Sequence, residues 1–360
     1  MDMTTRDTDK PCVKPSRAEP EVPLVGAKWG WACRLLSDPA GFHIGSSPMA
    51  VGDLVAARVR AVRNHTRLVD RSGARTRLYP GDLVVGVLGH RYATDAFHGA
   101  ARIEEGRAHL MTNAGLIGTV EARHAQVRAP TELEVLGSVV DGSGRAVNSI
   151  EASFVPSEPA ETRASIVLVL GTGMNAGKTT AAIGVIRGLI QEGLSVAGLK
   201  VTGSVSPKDR SEMSSTGAVF VRDFSDYGFP STYRLPEPRL MRLVQTMLAD
   251  ADLARPDVIV AEVADGVLQR ETELLVRCLR GQALGAVLAA PCALSAMAGA
   301  ELVEQTMPVL AVTGLISNAP LFGEELAAWT GRAVVDSLDD GRALARVLVR
   351  HVAGRSARVA

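Results

Sequence analysis

The run Gly171-Thr172-Gly173-Met174-Asn175-Ala176-Gly177-Lys178-Thr179-Thr180 holds the residue types that a bound phosphate requires. Small residues at Gly171, Gly173, Ala176 and Gly177 let backbone N–H groups turn inward toward anionic oxygens. Lys178 can reach terminal phosphates, and Thr179 can ligate Mg²⁺. The generic phosphate loop carries a glycine where this chain has Thr172, and here that glycine stands one step earlier, at Gly171. The strand-forming run SIVLVLG precedes the loop, and KTTAAIGVIRGLIQEG follows at helical spacing. That order places the loop at the positive end of a helix.

Three further signals stand at expected strand ends. Glu262 closes the apolar run of DVIVAEVADG, where a carboxylate is costly unless a cation or donor meets it; a nucleotide-bound Mg²⁺ would serve. Asp265 is a weaker rival and reads as a turn residue before Gly266. Lys200 ends LSVAGLKVTGS, where an ammonium can steady charge on transferring oxygens. Asn318, in LISNAP, has an amide able to read a purine edge. Between Lys200 and Glu262 runs a polar loop, Thr202 to Tyr233, long enough to be functional. It holds Asp209, Asp223 and Asp226, any of which could complete a Mg²⁺ site.

The elements that position these residues alternate. Apolar runs in SIVLVLG, LSVAGLKVTG, PDVIVAEVADG, LGAVLAAP and PVLAVTGLISN predict five strands, with RAVVDS as a sixth, and helices between them. Such alternation predicts a doubly wound α/β domain with a mostly parallel sheet, whose ligands sit at the carboxyl ends of the strands. The expected boundaries are a disordered or loosely ordered leader over residues 1–45, a small all-β barrel or sandwich over 46–150, and a linker over 151–164. The phosphate-loop domain then covers 165–345, with a C-terminal helix and tail over 346–360. In the β domain, Gly-Asp-Leu-Val occurs twice, from Gly52 and from Gly81, each opening a β-branched run. Ser72-Gly73 and Asp141-Gly142 mark turns. The domain also holds His65, His90, His98, His109 and His124, without the spacing of a metal site. The loop GHRYATDAFHG, Gly89 to Gly99, is placed to lie over an active site and select substrate.

Composition excludes several classes. Lysine plus arginine equals aspartate plus glutamate, 39 each. That balance argues against a nucleic-acid or membrane surface as partner. Aromatic residues are 4%, too few for base-stacking platforms. Cys12, Cys33, Cys278 and Cys292 form no CxxC pair and read as inert thiols in a reducing cytoplasm.

Taken together, the motif residues resemble dethiobiotin synthetase and its relatives among the P-loop ATPases. That family's loop reads Gly-Thr-x-x-x-x-Gly-Lys-Thr, and residues 171–179 fit it residue for residue. Lys200 looks like the family's strand-end lysine, Glu262 like its metal-binding glutamate and Asn318 like its purine-reading asparagine. Gly173 stands where partition-type ATPases carry an extra lysine, which disfavours that branch. FSDYGFPSTY is similar to the Asp-Tyr-x-Asp-Pro loop of the related cobyrinic acid diamide synthetases, making Asp226 the preferred additional metal ligand and Asp223 the second.

The resemblance implies ATP and Mg²⁺ as cofactors and Lys178 and Lys200 as catalytic residues. Thr179, Asp226 and Glu262 would be metal ligands, with residues 171–180 and Asn318 on the nucleotide. It implies phosphorylation of a carboxylate or carbamate on a small molecule, followed by amide or cyclic-urea formation with an amine. A small-molecule kinase is one alternative. A nucleotide-binding adaptor or switch is another, through a looser likeness to the GTP-binding adaptor of molybdopterin-guanine dinucleotide synthesis. A homodimer is implied by resemblance alone. Two departures stand out: the N-terminal β domain, which the synthetase lacks, and EVADGV, where the synthetase has a Gly-rich run.

Overall fold

The computed structural model describes residues 24–36, 39–157, 162–337, 339 and 341–359. Its chain divides into two units: Met1–Arg91 with Ala96–Ser153, and Tyr92–Asp95 with Phe154–Ala360. Among the described residues no helix is long and apolar enough to cross a membrane.

The repeated Gly-Asp-Leu-Val organises the first unit. Gly52 and Gly81 both adopt positive φ, 94° and 91°, a conformation that glycine reaches without a Cβ penalty. Asp53 accepts from the Ala50 N–H at 2.6 Å, and Asp82 from the Tyr79 N–H at 2.7 Å. Each turn launches a strand, Leu54–Ala61 and Leu83–Leu88, and the two strands pair antiparallel. Gly52 N–H donates to Leu88 O and Gly81 N–H to Val59 O. Each turn therefore closes on the far end of the other's strand.

Pairing continues from Leu54–Ala61 to Thr131–Val140, then to Arg107–Leu110 and Leu116–Arg123. Leu116–Arg123 returns in parallel to Leu83–Leu88. The ring is closed, a small barrel cored by Val55, Val59, Val84, Leu110, Ile117 and Leu133. Closure removes the free edges that a small open sheet would expose. The Ser72-Gly73 turn forms as expected, between Arg67–Val69 and Arg75–Arg77.

The leader expectation needs correction. Residues 1–23 lie outside the described residues, but Lys28–Trp29 and His43–Gly45 are strands of the sheet. Leu24, Trp29, Cys33 and Leu36 are buried. Trp29, Cys33 and Leu36 stand at helical spacing over a single short turn, Trp31–Cys33, too brief a pattern to mark the segment as ordered. Burial also pushes the Cys33 thiol up to about 12, which suits an inert thiol; Cys12 falls outside the described residues.

In the second unit the strands are β1 (Ser165–Gly171), β2 (Val196–Lys200), β3 (Phe220–Asp223), β4 (Val258–Glu262), β5 (Ala283–Ala289) and β6 (Val309–Thr313). They form one parallel sheet in the order β3-β2-β4-β1-β5-β6. All seven residues of β1 are buried, as a strand covered on both faces requires. The helices are α1 (Lys178–Gln191), α2 (Pro207–Ser214), α3 (Glu237–Leu253), α4 (Arg270–Cys278), α5 (Ala293–Glu304), α6 (Pro320–Thr330) and α7 (Arg342–Val359). Val167 and Val169 pack with Val185 and Leu189 of α1 and with Leu344 and Leu348 of α7.

Four sequence boundaries shift. The loop from Thr202 to Tyr233 contains α2 and β3, an edge strand too short and polar to show a period. RAVVDS makes one bridge, Val312 to Val334, and no strand. The linker splits, because Ser149–Ser153 is helical in the first unit while Phe154 packs edge-to-face on Phe229 of the second, 5.1 Å apart. The final helix begins at Arg342 and belongs to the second unit's core, so a boundary at 345 cuts through it.

Two outcomes follow. A Cβ at Gly341, φ 77°, would overlap the carbonyl oxygen of Gly184 on α1. Gly341→Ala should therefore lower stability by roughly 2–4 kcal/mol, read as a lower urea midpoint. In the first unit, burial and the Arg91 charge lower His65 from 6.5 to about 4, against its hydrogen bond to Met111 O. The fold favours the neutral ring, so this contribution is complete above pH 6.5 and is lost as pH falls toward 4. The urea midpoint should fall over that interval, less steeply for His65→Gln.

Candidate functional site

The phosphate loop is shaped by its glycines. A Cβ on Gly171 would lie 2.7 Å from Cγ and Cδ of Lys178, so this glycine leaves room for the lysine stem. Thr172 N–H donates to Ala289 O at 3.0 Å, and a Cβ on Gly299 of α5 would lie 2.5 Å from the Thr172 methyl. The position that usually holds glycine is thus a packed threonine. Asn175 and Gly177 take positive φ, 58° and 96°, and α1 starts immediately after Gly177. Ala176 is buried, its carbonyl accepting from Leu315 N–H at 3.1 Å. Gly173 and Met174 are half-buried, while Asn175 and Thr180 are exposed.

Lys178 is buried and folds back over this loop, its Nζ donating to Gly173 O at 2.7 Å. Burial lowers its pKa, opposed chiefly by Glu262 and Asp265. A desolvated ammonium that meets only a carbonyl is ready to exchange it for a phosphate oxygen.

Register assembles the rest. Lys200 stands directly across from Glu262 on the adjacent parallel strand. Thr179 Oγ1 donates to Glu262 Oε1 at 3.0 Å, and Lys200 Nζ lies 3.4 Å from the same oxygen. Glu262 is 1% exposed, and its Oε2 has no hydrogen-bond partner among the described residues. Asp209, on the first turn of α2, forms the closest ion pair of Lys200. Burial alone would depress Lys200, but Glu262 and Asp209 outweigh it and hold the ammonium above the ordinary lysine range.

The structure therefore brings Lys178, Thr179, Lys200, Asp209 and Glu262 together. It does not bring Asp226 to them. Asp226 Oδ2 accepts from Arg210 Nε at 2.8 Å and from Asp223 N–H at 2.9 Å. Asp223 in turn caps the turn Phe224–Tyr227, accepting from the Ser225 and Asp226 N–H groups. These two carboxylates hold the loop, and Asp223 also stands across from Lys200 in parallel register. Asp265 adopts φ 65°, the turn residue expected.

Asn318 is exposed at the end of the turn Leu315–Asn318, five residues beyond β6. That turn is fastened to the loop through Leu315 and Ala176, so Asn318 is carried beside the loop rather than on a strand end. Sequence reasoning missed Asp209 as the partner of Lys200. The signal was Ser206-Pro207-Lys208-Asp209, a helix start with an acidic first turn, and Ser206 does cap α2. It also missed Asp95, one of the four residues Tyr92–Asp95 that belong to this unit. Asp95 Oδ2 accepts from Asn175 Nδ2 at 2.7 Å.

A strand ending in glycine, a loop with two positive-φ residues, a helix opened by a buried lysine and a carboxylate on the neighbouring strand define a P-loop nucleotide-binding domain. No family model matches the chain, and no curated protein matches it. Solved structures similar to it include the signal recognition particle receptor FtsY from Elizabethkingia anophelis, in complex with GDP. That likeness has 14% identity and a TM-score of 0.31 and covers 44% of this chain and 50% of that one. The chain thus spans about half the length of that receptor. Chloroplast FtsY from Physcomitrella patens has 13% identity over 57% of this chain and 70% of that one, TM-score 0.36. The signal recognition particle 54 kDa protein from Aeropyrum pernix, in complex with GDP, has 18% identity over 58% and 51%, TM-score 0.35. At TM-scores this low, the site's chemistry rests on its own residues.

Asp226→Asn removes a buried partner of Arg210 and should cost roughly 3 kcal/mol of stability. The Mg²⁺ dependence of nucleotide binding should not change. A shifted Mg²⁺ requirement, measured by titration calorimetry on the folded variant, would return Asp226 to the metal site.

Proposed function

We propose that the second unit binds a nucleoside triphosphate with Mg²⁺ and transfers its γ-phosphoryl group. The observation that supports this most is Glu262 Oε2, buried and unpartnered beside Thr179 at the end of a central strand. A hydroxyl and one carboxylate fit Mg²⁺, which completes its coordination with phosphate oxygens and water. Among the described residues no group of three His, Cys, Asp or Glu forms a dedicated cage. Mg²⁺, when bound, neutralises phosphate charge and orients the γ-phosphoryl group.

The chain's own residues do the remainder. Backbone N–H groups of residues 173–178 cradle the phosphates at the start of α1. Lys178 exchanges Gly173 O for phosphate oxygens. Lys200, freed from part of its hold on Asp209, meets charge that develops on the transferring oxygens. Thr179 and Glu262 hold the metal. The nucleotide is ATP on this reading, since Asn318 lies in no Asn-Lys-x-Asp guanine signature.

The acceptor defines two finer readings. The resemblance to dethiobiotin synthetase, carried by residues 171–179, Lys200 and Glu262, supports phosphorylation of a carboxylate that an amine then captures. The Lys200–Asp209 pair supports a switch, because a γ-phosphate competing for Lys200 loosens α2 from the end of β2. Phosphorus NMR of products formed with and without candidate small molecules separates them. If no small molecule alters turnover while nucleotide changes the protection of α2 from hydrogen exchange, the switch holds.

Lys178→Ala should reduce ATP turnover by about 100-fold or more, measured as phosphate release under saturating Mg²⁺. Turnover at the wild-type rate would remove the site assignment. Glu262→Gln should raise the Mg²⁺ concentration needed for half-maximal nucleotide binding by about tenfold or more.

A further inference from the structure

The stretch after Glu262 buries more polarity than a magnesium site uses. Glu271, in the first turn of α4, is 1% exposed. Its Oε1 accepts from the Arg234 N–H at 2.7 Å and lies 3.8 Å from Arg270. Its Oε2 is buried and has no hydrogen-bond partner among the described residues. Gln269, just before the helix, likewise buries one end of its amide without a partner.

Neither nearby guanidinium reaches Glu271 Oε2. Arg234 stacks over Tyr233 at 5.2 Å, and Arg270 donates to Leu235 O at 3.3 Å. The Tyr233 ring lies 5.3 Å from that of Tyr92, tilted by 44°, and Tyr92 belongs to the same unit. Burial raises the Tyr92 hydroxyl pKa, and Asp265, Tyr233 and Glu271 raise it further. The Tyr92–Tyr233 pair thus flanks the backbone N–H that Glu271 accepts from.

This cluster adjoins the phosphate loop. Val267 N–H donates to Gly171 O at 2.9 Å, and a Cβ on Gly266 would lie 3.0 Å from Thr172 O. Ala264 N–H donates to Thr202 Oγ1 at 2.8 Å, tying the stretch to the segment after Lys200. The cluster therefore sits at the carboxyl ends of β2 and β4, where an acceptor must lie to meet a γ-phosphoryl group.

A bare, buried carboxylate oxygen calls for a cation or donor. The Tyr92–Tyr233 pair adjoins the segment that holds Glu271, and aromatic rings nearby favour an organic cation over a hydrated metal ion. An ammonium supplies the charge and three N–H donors in a small volume. We propose that Glu271, with the Tyr92–Tyr233 pair, binds the primary ammonium group of a small organic molecule next to the nucleotide. Naming that molecule a co-substrate rests on the phosphoryl-transfer reading above; the ammonium site itself does not.

The test uses the full chain, with benzylammonium and benzyl alcohol as probes, by titration calorimetry with and without Mg²⁺ and a non-hydrolysable ATP analogue. Benzylammonium should bind about tenfold or more tightly than the alcohol. Glu271→Gln should lose about tenfold in benzylammonium affinity, while affinity for the ATP analogue stays within about twofold. Equal binding of the two probes overturns the proposal, as does undiminished benzylammonium binding by folded Glu271→Gln. If that variant does not fold, Tyr233→Leu takes its place, with the same loss expected and unchanged binding overturning the site. Analogue binding without benzylammonium binding defeats the ammonium site alone. Benzylammonium binding without analogue binding defeats the phosphate-site reading and leaves the ammonium site standing.

Discussion

A carboxylate buried as deeply as Glu262 costs several kcal/mol unless cations and donors surround it. The second unit is arranged around that cost. Parallel register sets Lys200 directly opposite Glu262, and the first turn of α1 brings the Thr179 hydroxyl to the same oxygen. Both contacts fall on Oε1, so the other oxygen keeps its demand for a cation. Lys200 is committed to Glu262 and Asp209, whereas Lys178 meets only a backbone carbonyl. The two lysines thus differ in readiness: one is held in a balanced network, and the other is a desolvated charge that gains most when an anion arrives.

The displaced glycine of the phosphate loop has the same kind of cause. Glycine is required where backbone or another side chain comes too close for a Cβ. Here that point is the end of β1, where the Lys178 stem crosses Gly171. One residue later the constraint reverses, because Thr172 turns its methyl toward Gly299 of α5. The small residue has moved to the partner helix, and the loop keeps its shape with a threonine where glycine is usual.

What the sequence made legible were features with a strong local pattern. Residues 166–170 of β1, 258–261 of β4 and 283–289 of β5 are apolar because both faces of the sheet are covered, and such runs announce themselves. The phosphate loop, Lys200 and Glu262 were legible because they end those strands. The repeated Gly-Asp-Leu-Val marked two strands whose pairing the structure completes. What was hidden depended on long-range register. β3 is a short polar edge strand, and residues 24–45 join the first unit through isolated anchors such as Trp29 and Cys33. The ammonium cluster was invisible for the same reason. Tyr92, Tyr233 and Glu271 are far apart in sequence, and no motif links them.

The choice between Asp209 and Asp226 shows most clearly why type and spacing were insufficient. Both are acidic residues near the start of a helical turn in one polar loop. They are separated by what α2 does with two consecutive residues. Asp209 reaches Lys200 at the end of β2, while Arg210 reaches Asp226 beyond β3. One turn of helix therefore carries two ion pairs of opposite polarity toward two neighbouring strand ends. The Arg210 pair is buried on its acidic side, where Asp226 also accepts from the Asp223 N–H. On the proposed reading, a phosphate that contests Lys200 for Asp209 would weaken one of the two ion pairs on the first turn of α2, while the Arg210 pair still holds that same turn.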